Sequence, residues 1–261
     1  MRLAGAYLRR DFREDVGYRF SFVLDLIDAL VLLAAVYFLS RGLGPVRTAG
    51  YEPFGFLFTG LAVNGALSVC LICFAQSVRG SRAGGTLRAT LIMPTSATVQ
   101  ALSSAAYPML RGLIDAGLHL AAAALLGLSL SRANVPGALL VLALGLAAAS
   151  AVGIASAAFA IVFRRGDPLL WLIGVTGMLL GGVFYPVEQL PQTLRALSWI
   201  TPVAPALSAM RPLLLDGAAL GDVRSPLLAL AAYALAGVPL SLALFNRAVH
   251  HARRTAGIRE T

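Results

Sequence analysis

The feature that most constrains this chain is a series of apolar runs about as long as a lipid bilayer is thick. A helix needs about 20 apolar residues to cross roughly 30 Å of hydrocarbon, and Phe20–Ser40, Phe54–Gln76 and Gly137–Phe163 are all of that order. A soluble fold could not hide them. The chain has 261 residues, 58% of them hydrophobic and only 13% charged, and a globule of that size keeps too much of its surface wet to bury such a surplus. The expectation is an all-α integral membrane protein.

Six transmembrane helices are expected, at about 20–40, 54–76, 107–130, 137–163, 168–185 and 227–246. Their orientation follows from arginine alone, since the sequence contains no lysine. With the N-terminus inside, the inner segments hold Arg2, Arg9, Arg10, Arg13, Arg19, Arg79, Arg82, Arg88, Arg164, Arg165, Arg247, Arg253, Arg254 and Arg259. The outer segments hold only Arg41, Arg47, Arg132, Arg195, Arg211 and Arg224. That asymmetry places both termini in the cytoplasm and the chain in the cell (inner) membrane. The net charge of +9 therefore reports topology and not a nucleic-acid partner. Asp11, Glu14 and Asp15 are foreign to a signal-peptide n-region, so the first run is expected to stay as an anchor.

Residues 1–19 place Leu3, Tyr7, Leu8, Phe12 and Val16 on one stripe, which predicts an amphipathic interfacial helix among acyl chains. The membrane domain then occupies 20–249, and 250–261 reads as a basic cytoplasmic tail in which His250 and His251 are solvated. Two stretches break the serpentine. The inner stretch Val78–Thr98 is too ordered-looking for a plain turn. The outer stretch Pro186–Pro212 is apolar yet carries Pro186, Pro191, Pro202, Pro205 and Pro212, and it is expected to re-enter the outer leaflet as short helices.

Charges inside the spans form one candidate site. Asp25 and Asp28 lie in the first span, Arg111 and Asp115 in the third, and Asp25 and Asp115 both fall about 24 Å from the outer ends at ~1.5 Å per residue. Arg111 and Asp115 are an i, i+4 pair on one face. One reading is a polar cluster near the inner gate; the other has Arg111 snorkelling to headgroups and the aspartates in interfacial water. Small residues recur at helix-packing spacing, at Gly177 and Gly181 and again at Gly145, Ala149, Gly153 and Ala157.

Catalytic signatures are missing. Cys70 and Cys73 form C-x-x-C inside an apolar run, where they read as small hydrophobes and not as a redox or metal pair. No G-x-S-x-G, H-E-x-x-H or Walker P-loop occurs, and Asp25-x-x-Asp28 alone falls short of a lipid-transferase metal site. No catalytic residue, bound metal or cofactor is expected.

Two motifs resemble the permease of type 2 ABC exporters (the ABC-2 family). The first is Arg82-Ala-Gly-Gly-Thr-Leu-Arg-Ala-Thr-Leu-Ile-Met-Pro94, similar to the family's coupling helix between the second and third spans. Gly84 and Gly85 suit a sharp entry, Thr86 a helix cap and Pro94 a stop, with Leu87 and Arg88 between. The second is Gly181-Gly-Val-Phe-Tyr-Pro-Val-Glu-Gln-Leu-Pro191 continuing through Trp199 and Pro202 to Arg211. It resembles the family's fifth span running into outer re-entrant helices, and singles out Pro186, Glu188, Pro191, Trp199 and Pro202.

The resemblance implies a non-catalytic permease that exports an amphiphile such as a drug, lipid or glycan. It implies a partner ABC ATPase subunit carrying ATP and Mg, and a second permease protomer, identical or related, meeting this one through the first and fifth spans. Family members often carry acids around the first motif, whereas Arg82 and Arg88 flank it here. That departure implies an acidic partner surface. The other classes compatible with the hydropathy are a non-ABC transporter or channel subunit and a lipid-modifying membrane enzyme.

Overall fold

A chain rich in Leu, Ala and Val has one way to satisfy its peptide groups in hydrocarbon, which is the hydrogen-bond ladder inside each helix. The computed structural model describes residues 19–42, 44, 48–83, 110, 114, 116–128, 130–162 and 168–257. Among the described residues every regular element is helical, and the β-pairing is limited to an isolated Thr48–Tyr51 bridge. Helix α1 spans Arg19–Gly42, α2 Pro53–Ala83, α3 Ala116–Leu125, α4 Val135–Val162 and α5 Pro168–Leu180. Two short helices follow, α6 at Gln192–Ser198 and α7 at Val203–Arg211, and then α8 at Arg224–Ala232 and α9 at Val238–Gly257. A π-helical turn at Tyr233–Gly237 joins the last two. Three described helices are long and apolar enough to cross a membrane: Pro53–Gln76, Val135–Val162 and Arg224–Ala252. Shorter apolar stretches run over Leu30–Gly42 and Ala116–Leu125.

Helix α4 is the hub, with α2 and α9 laid along it. Its small residues make that closeness possible. A Cβ on Gly153 would lie 2.6 Å from the Cys70 carbonyl oxygen and 2.9 Å from that of Leu71, and one on Gly145 would lie 3.1 Å from Leu67. Without a hydrophobic effect between helices in lipid, such dispersion contacts are the principal attraction. Cys70 is fully buried at this crossing, and Cys73 Sγ donates to the Cys70 carbonyl at 3.5 Å.

The clusters also fix direction. Near the C-terminal ends of α2, α4 and α9, Val78, Ala158, Ile161, Phe245, Ala248, Val249 and Ala252 pack together, so these three helices run parallel. At the opposite end Leu33 and Val36 of α1 and Ala123 of α3 gather around Phe56 at the start of α2, and Gly177 near the end of α5 meets Val203 of α7. Thus α1, α3 and α5 arrive where α2, α4 and α8 depart.

Several boundaries differ from the sequence expectation. Helix α2 continues past Gln76 to Ala83, so the inner stretch after Val78 starts as helix, held by Val78 against α9. The fifth expected span ends as helix at Leu180, where the chain turns through Gly182 at φ +81°. The expected tail from residue 250 is helical as far as Gly257 because Val249 and Ala252 pack on α4. The third span stops at Leu125, with Gly127 at φ +100° beyond it. The expected interfacial helix, residues 1–18, lies outside the described residues.

Candidate functional site

The proline-rich stretch after α5 folds back over the end of the bundle. Proline lacks an N–H, so it is best tolerated where a helix begins. Pro186 accordingly precedes a short 3-10 turn at Val187–Gln189, Pro191 precedes α6, and Pro202 precedes α7. Helix α7 is then buried along nearly its whole length, including Val203, Ala204, Leu207 and Met210. Helix α6 is arranged the other way: Leu194 and Leu197 are exposed while Ser198 is fully buried. That is the pattern of a helix with protein on its polar side and an apolar medium outside.

Arg211, the last residue of α7, is buried at 7% exposure. Its Nη2 donates to the carbonyls of Gly182 at 2.7 Å, Val183 at 3.2 Å and Phe56 at 3.3 Å. Its guanidinium carbon sits 3.5 Å from the centroid of the Phe56 ring, a cation–π contact strengthened by the lack of water. A buried cation held by carbonyl dipoles and a ring face, with Glu188 and Tyr51 near enough to interact electrostatically, joins three segments distant in sequence. Gly60 is what lets them meet, because a Cβ there would lie 2.4 Å from the Val183 carbonyl oxygen and 3.0 Å from Arg211 Nη2.

Two further ties surround this cap. Asn134 caps α4 by accepting from the Gly137 N–H at 3.0 Å, donates from Nδ2 to Ala218 at 2.9 Å, and donates its own N–H to Leu213 at 2.8 Å. A two-residue turn, with Ala49 at φ +53° and Gly50 at φ +88°, pairs Thr48 with Tyr51, as expected when both central residues are left-handed. It presents Tyr51 to Asp216, and burial, then the hydrogen bond to that carboxylate, push the phenol up to about 12.

The residues singled out from sequence are distributed as follows. Gly177 and Gly181 pack against Val203 of the cap, where a Cβ would lie 3.1 Å and 2.6 Å from its methyls. Pro186 and Pro202 are buried, Glu188 and Pro191 are exposed, and the Trp199 carbonyl accepts from the Tyr233 hydroxyl. The Glu188 carbonyl accepts from Arg195. Arg82 is in the last turn of α2, whereas Gly84, Gly85, Thr86, Leu87, Arg88 and Pro94 lie outside the described residues. Asp25 and Asp28 fall in α1, while Arg111 and Asp115 lie outside the described residues. Among the described residues no group of three His, Cys, Asp or Glu is placed to hold a metal ion.

Sequence reasoning counted Arg211 only as an outer arginine and did not single out Phe56, Gly60, Tyr51, Asn134 or Asp216. The available signal was isolation: Arg211 is the sole charged residue between Ala196 and Leu215, so it had no polar face to lie on.

No curated protein matches the chain. The profile of the ABC-2 type transporter family matches residues 3–215, well over half of the sequence, and covers α1 through the cap that Arg211 holds. The chain therefore belongs to the ABC-2 type transporter family, whose members are membrane components of ABC transporters and typically pair with an ABC ATPase subunit.

Proposed function

We propose that this chain is the permease subunit of an ATP-driven exporter, with six membrane spans and both termini in the cytoplasm. The observation that carries the reading is the family match over residues 3–215; the alternating directions of α1–α5 and the α8–α9 helix support it. Two such chains, identical or related, form the translocation unit and meet through α1 and α5. The chain holds no cofactor of its own, and ATP and Mg act on the partner ATPase. The cargo is an amphiphile, a drug, lipid or glycan, taken from the cytoplasm or the inner leaflet.

Coupling enters through residues 79–98, where Arg82, Gly84, Gly85, Thr86, Leu87, Arg88 and Pro94 seat against the ATPase. Helix α2 is the lever. Its 31 residues, about 45 Å at ~1.5 Å per residue, run from Arg82 to the Phe56 carbonyl that Arg211 holds. A displacement at the inner end therefore reaches the outer cap through one rigid element. Asp25, Asp28, Arg111 and Asp115 form a polar cluster near the inner gate in this scheme; transport by an Arg111→Ala variant at the wild-type rate would remove that part of it.

The test is co-expression with the ATPase subunit encoded beside this chain. Co-purification and vanadate-sensitive ATP hydrolysis in proteoliposomes are expected. Failure of any ATPase subunit to associate would sink the proposal, and unimpaired coupling in Arg88→Glu would remove the coupling role of that segment.

A further inference from the structure

Helix α9 changes character along a single stripe. Leu240 and Leu244 are exposed at 64% and 42%, and Arg247, His251 and Arg254 follow at spacings of three and four on the same face. His250 flanks them, and the four basic side chains line a cleft of about 400 Å³. The opposite face, Phe245, Ala248, Val249 and Ala252, is committed to α4 and α2. Val238–Gly257 contains no acidic residue. Only 11% of the apolar window in Arg224–Ala252 is buried by protein, so what lies against Leu240 and Leu244 is acyl chain once this helix spans the membrane.

We infer that Arg247, His250, His251 and Arg254 form a binding site for the phosphate of an anionic phospholipid in the leaflet at that end of the bundle. A lipid is the occupant that satisfies the whole stripe, because its chains continue along Leu244 and Leu240 while its phosphate reaches the guanidinium groups. Arginine forks match phosphate oxygens in pairs. A soluble anion would use the basic cluster and leave the leucines unexplained, and an acidic protein surface would have to enter among headgroups to reach Arg247. The inference rests on the last helix crossing the membrane and does not depend on which ATPase drives the complex.

The experiment is lipid retention by the purified full-length chain, read by native mass spectrometry after exchange into detergent with phosphatidylglycerol or phosphatidylcholine. Selective retention of phosphatidylglycerol is expected. It should weaken about 30-fold in the double variant Arg247→Gln/Arg254→Gln, since each basic side chain near an anionic surface contributes about a factor of five. The Arg247→Lys/Arg254→Lys variant should keep most of it. Equal retention of both lipids by the wild type overturns the proposal, and this arm decides even if the glutamine variant does not fold. Displacement of the lipid by millimolar inorganic phosphate would mark a free-anion site and overturn it too. Unchanged retention in a folded glutamine variant that no longer binds its ATPase would assign the cluster to the protein partner instead.

Discussion

Helix α2 is held at two places by different physics. Near its start, Phe56 and Gly60 are locked by Arg211, whose cation reaches carbonyls from two other parts of the chain. Two to four turns later, Cys70 and Leu71 lie against Gly153 with nothing but backbone and small side chains between the helices. The first contact is directional, and it fails when its one donor is lost. The second is made of many weak contacts and degrades gradually as side chains grow. A chain that must move in hydrocarbon thus fixes its outer cap with a polar device and leaves its interior to packing, which permits small sliding at low cost.

The largest effect should come from the polar contact. Arg211→Leu leaves the Gly182, Val183 and Phe56 carbonyls short of a charged donor, at a cost of about 3 kcal/mol or more. The expected result is loss of a monodisperse peak in detergent chromatography. Arg211→Lys keeps the charge without the fork, so it should recover part of the stability. An Arg211→Leu protein as heat-stable as wild type would erase the contrast.

Gly60→Ala and Gly153→Ala test the two contacts on equal terms, since each adds one methyl against a backbone carbonyl. Each should destabilise by about 1–3 kcal/mol. Their coupling to Arg211→Leu should differ. Gly60→Ala shares the Arg211 contact, so the double variant should be less destabilised than the sum, whereas Gly153→Ala should add nearly independently. Equal coupling in thermal-shift measurements would show that the two regions act as one.

Asn134→Ala should cost about 1 kcal/mol as a lost helix cap, somewhat more if the bond to Ala218 is lost as well. The comparison sharpens if ATP-driven transport falls while the midpoint of thermal unfolding moves only slightly.

The smallest effect concerns Tyr51, outside the spans. Its folded pKa is raised from 10.0 to about 12, so the neutral phenol is favoured in the fold. That contribution is complete below pH 10 and disappears as pH rises through 12. A spectrophotometric titration of wild type minus Tyr51→Phe should show one late phenol, and Asp216→Asn should bring it earlier by removing the hydrogen-bonded carboxylate. Ionisation near 10 in the wild type would mean that the hairpin does not reach the cap.

How much of this was legible in the sequence differs between the two regions. The Gly145–Ala157 stripe was visible because small residues at intervals of four are a side-chain pattern, and helix packing in lipid is read from side chains. The length of the apolar runs likewise announced α2 and α4. The cap was half visible. Its prolines showed where helices begin, yet the partners of Arg211 are carbonyls of Gly182, Val183 and Phe56, and a carbonyl leaves no trace in residue identity. The extension of α9 beyond residue 250 was obscured for a related reason: a basic segment reads as solvated unless the apolar face beneath it, here Ala248, Val249 and Ala252, is weighed as well.

The π-helical turn at Tyr233–Gly237 sets a limit on how this helix can vary. Deleting one residue within that turn would restore an ordinary helix and rotate everything beyond it by about 100°. Leu240 and Leu244 would then swing toward α4, and Val249 and Ala252 would swing away from it, carrying Arg247 and Arg254 off the face they now occupy. Substitutions in the last helix are a matter of chemistry that neighbours can absorb. A single-residue gap is a matter of phase, and it would rewrite the whole segment at once.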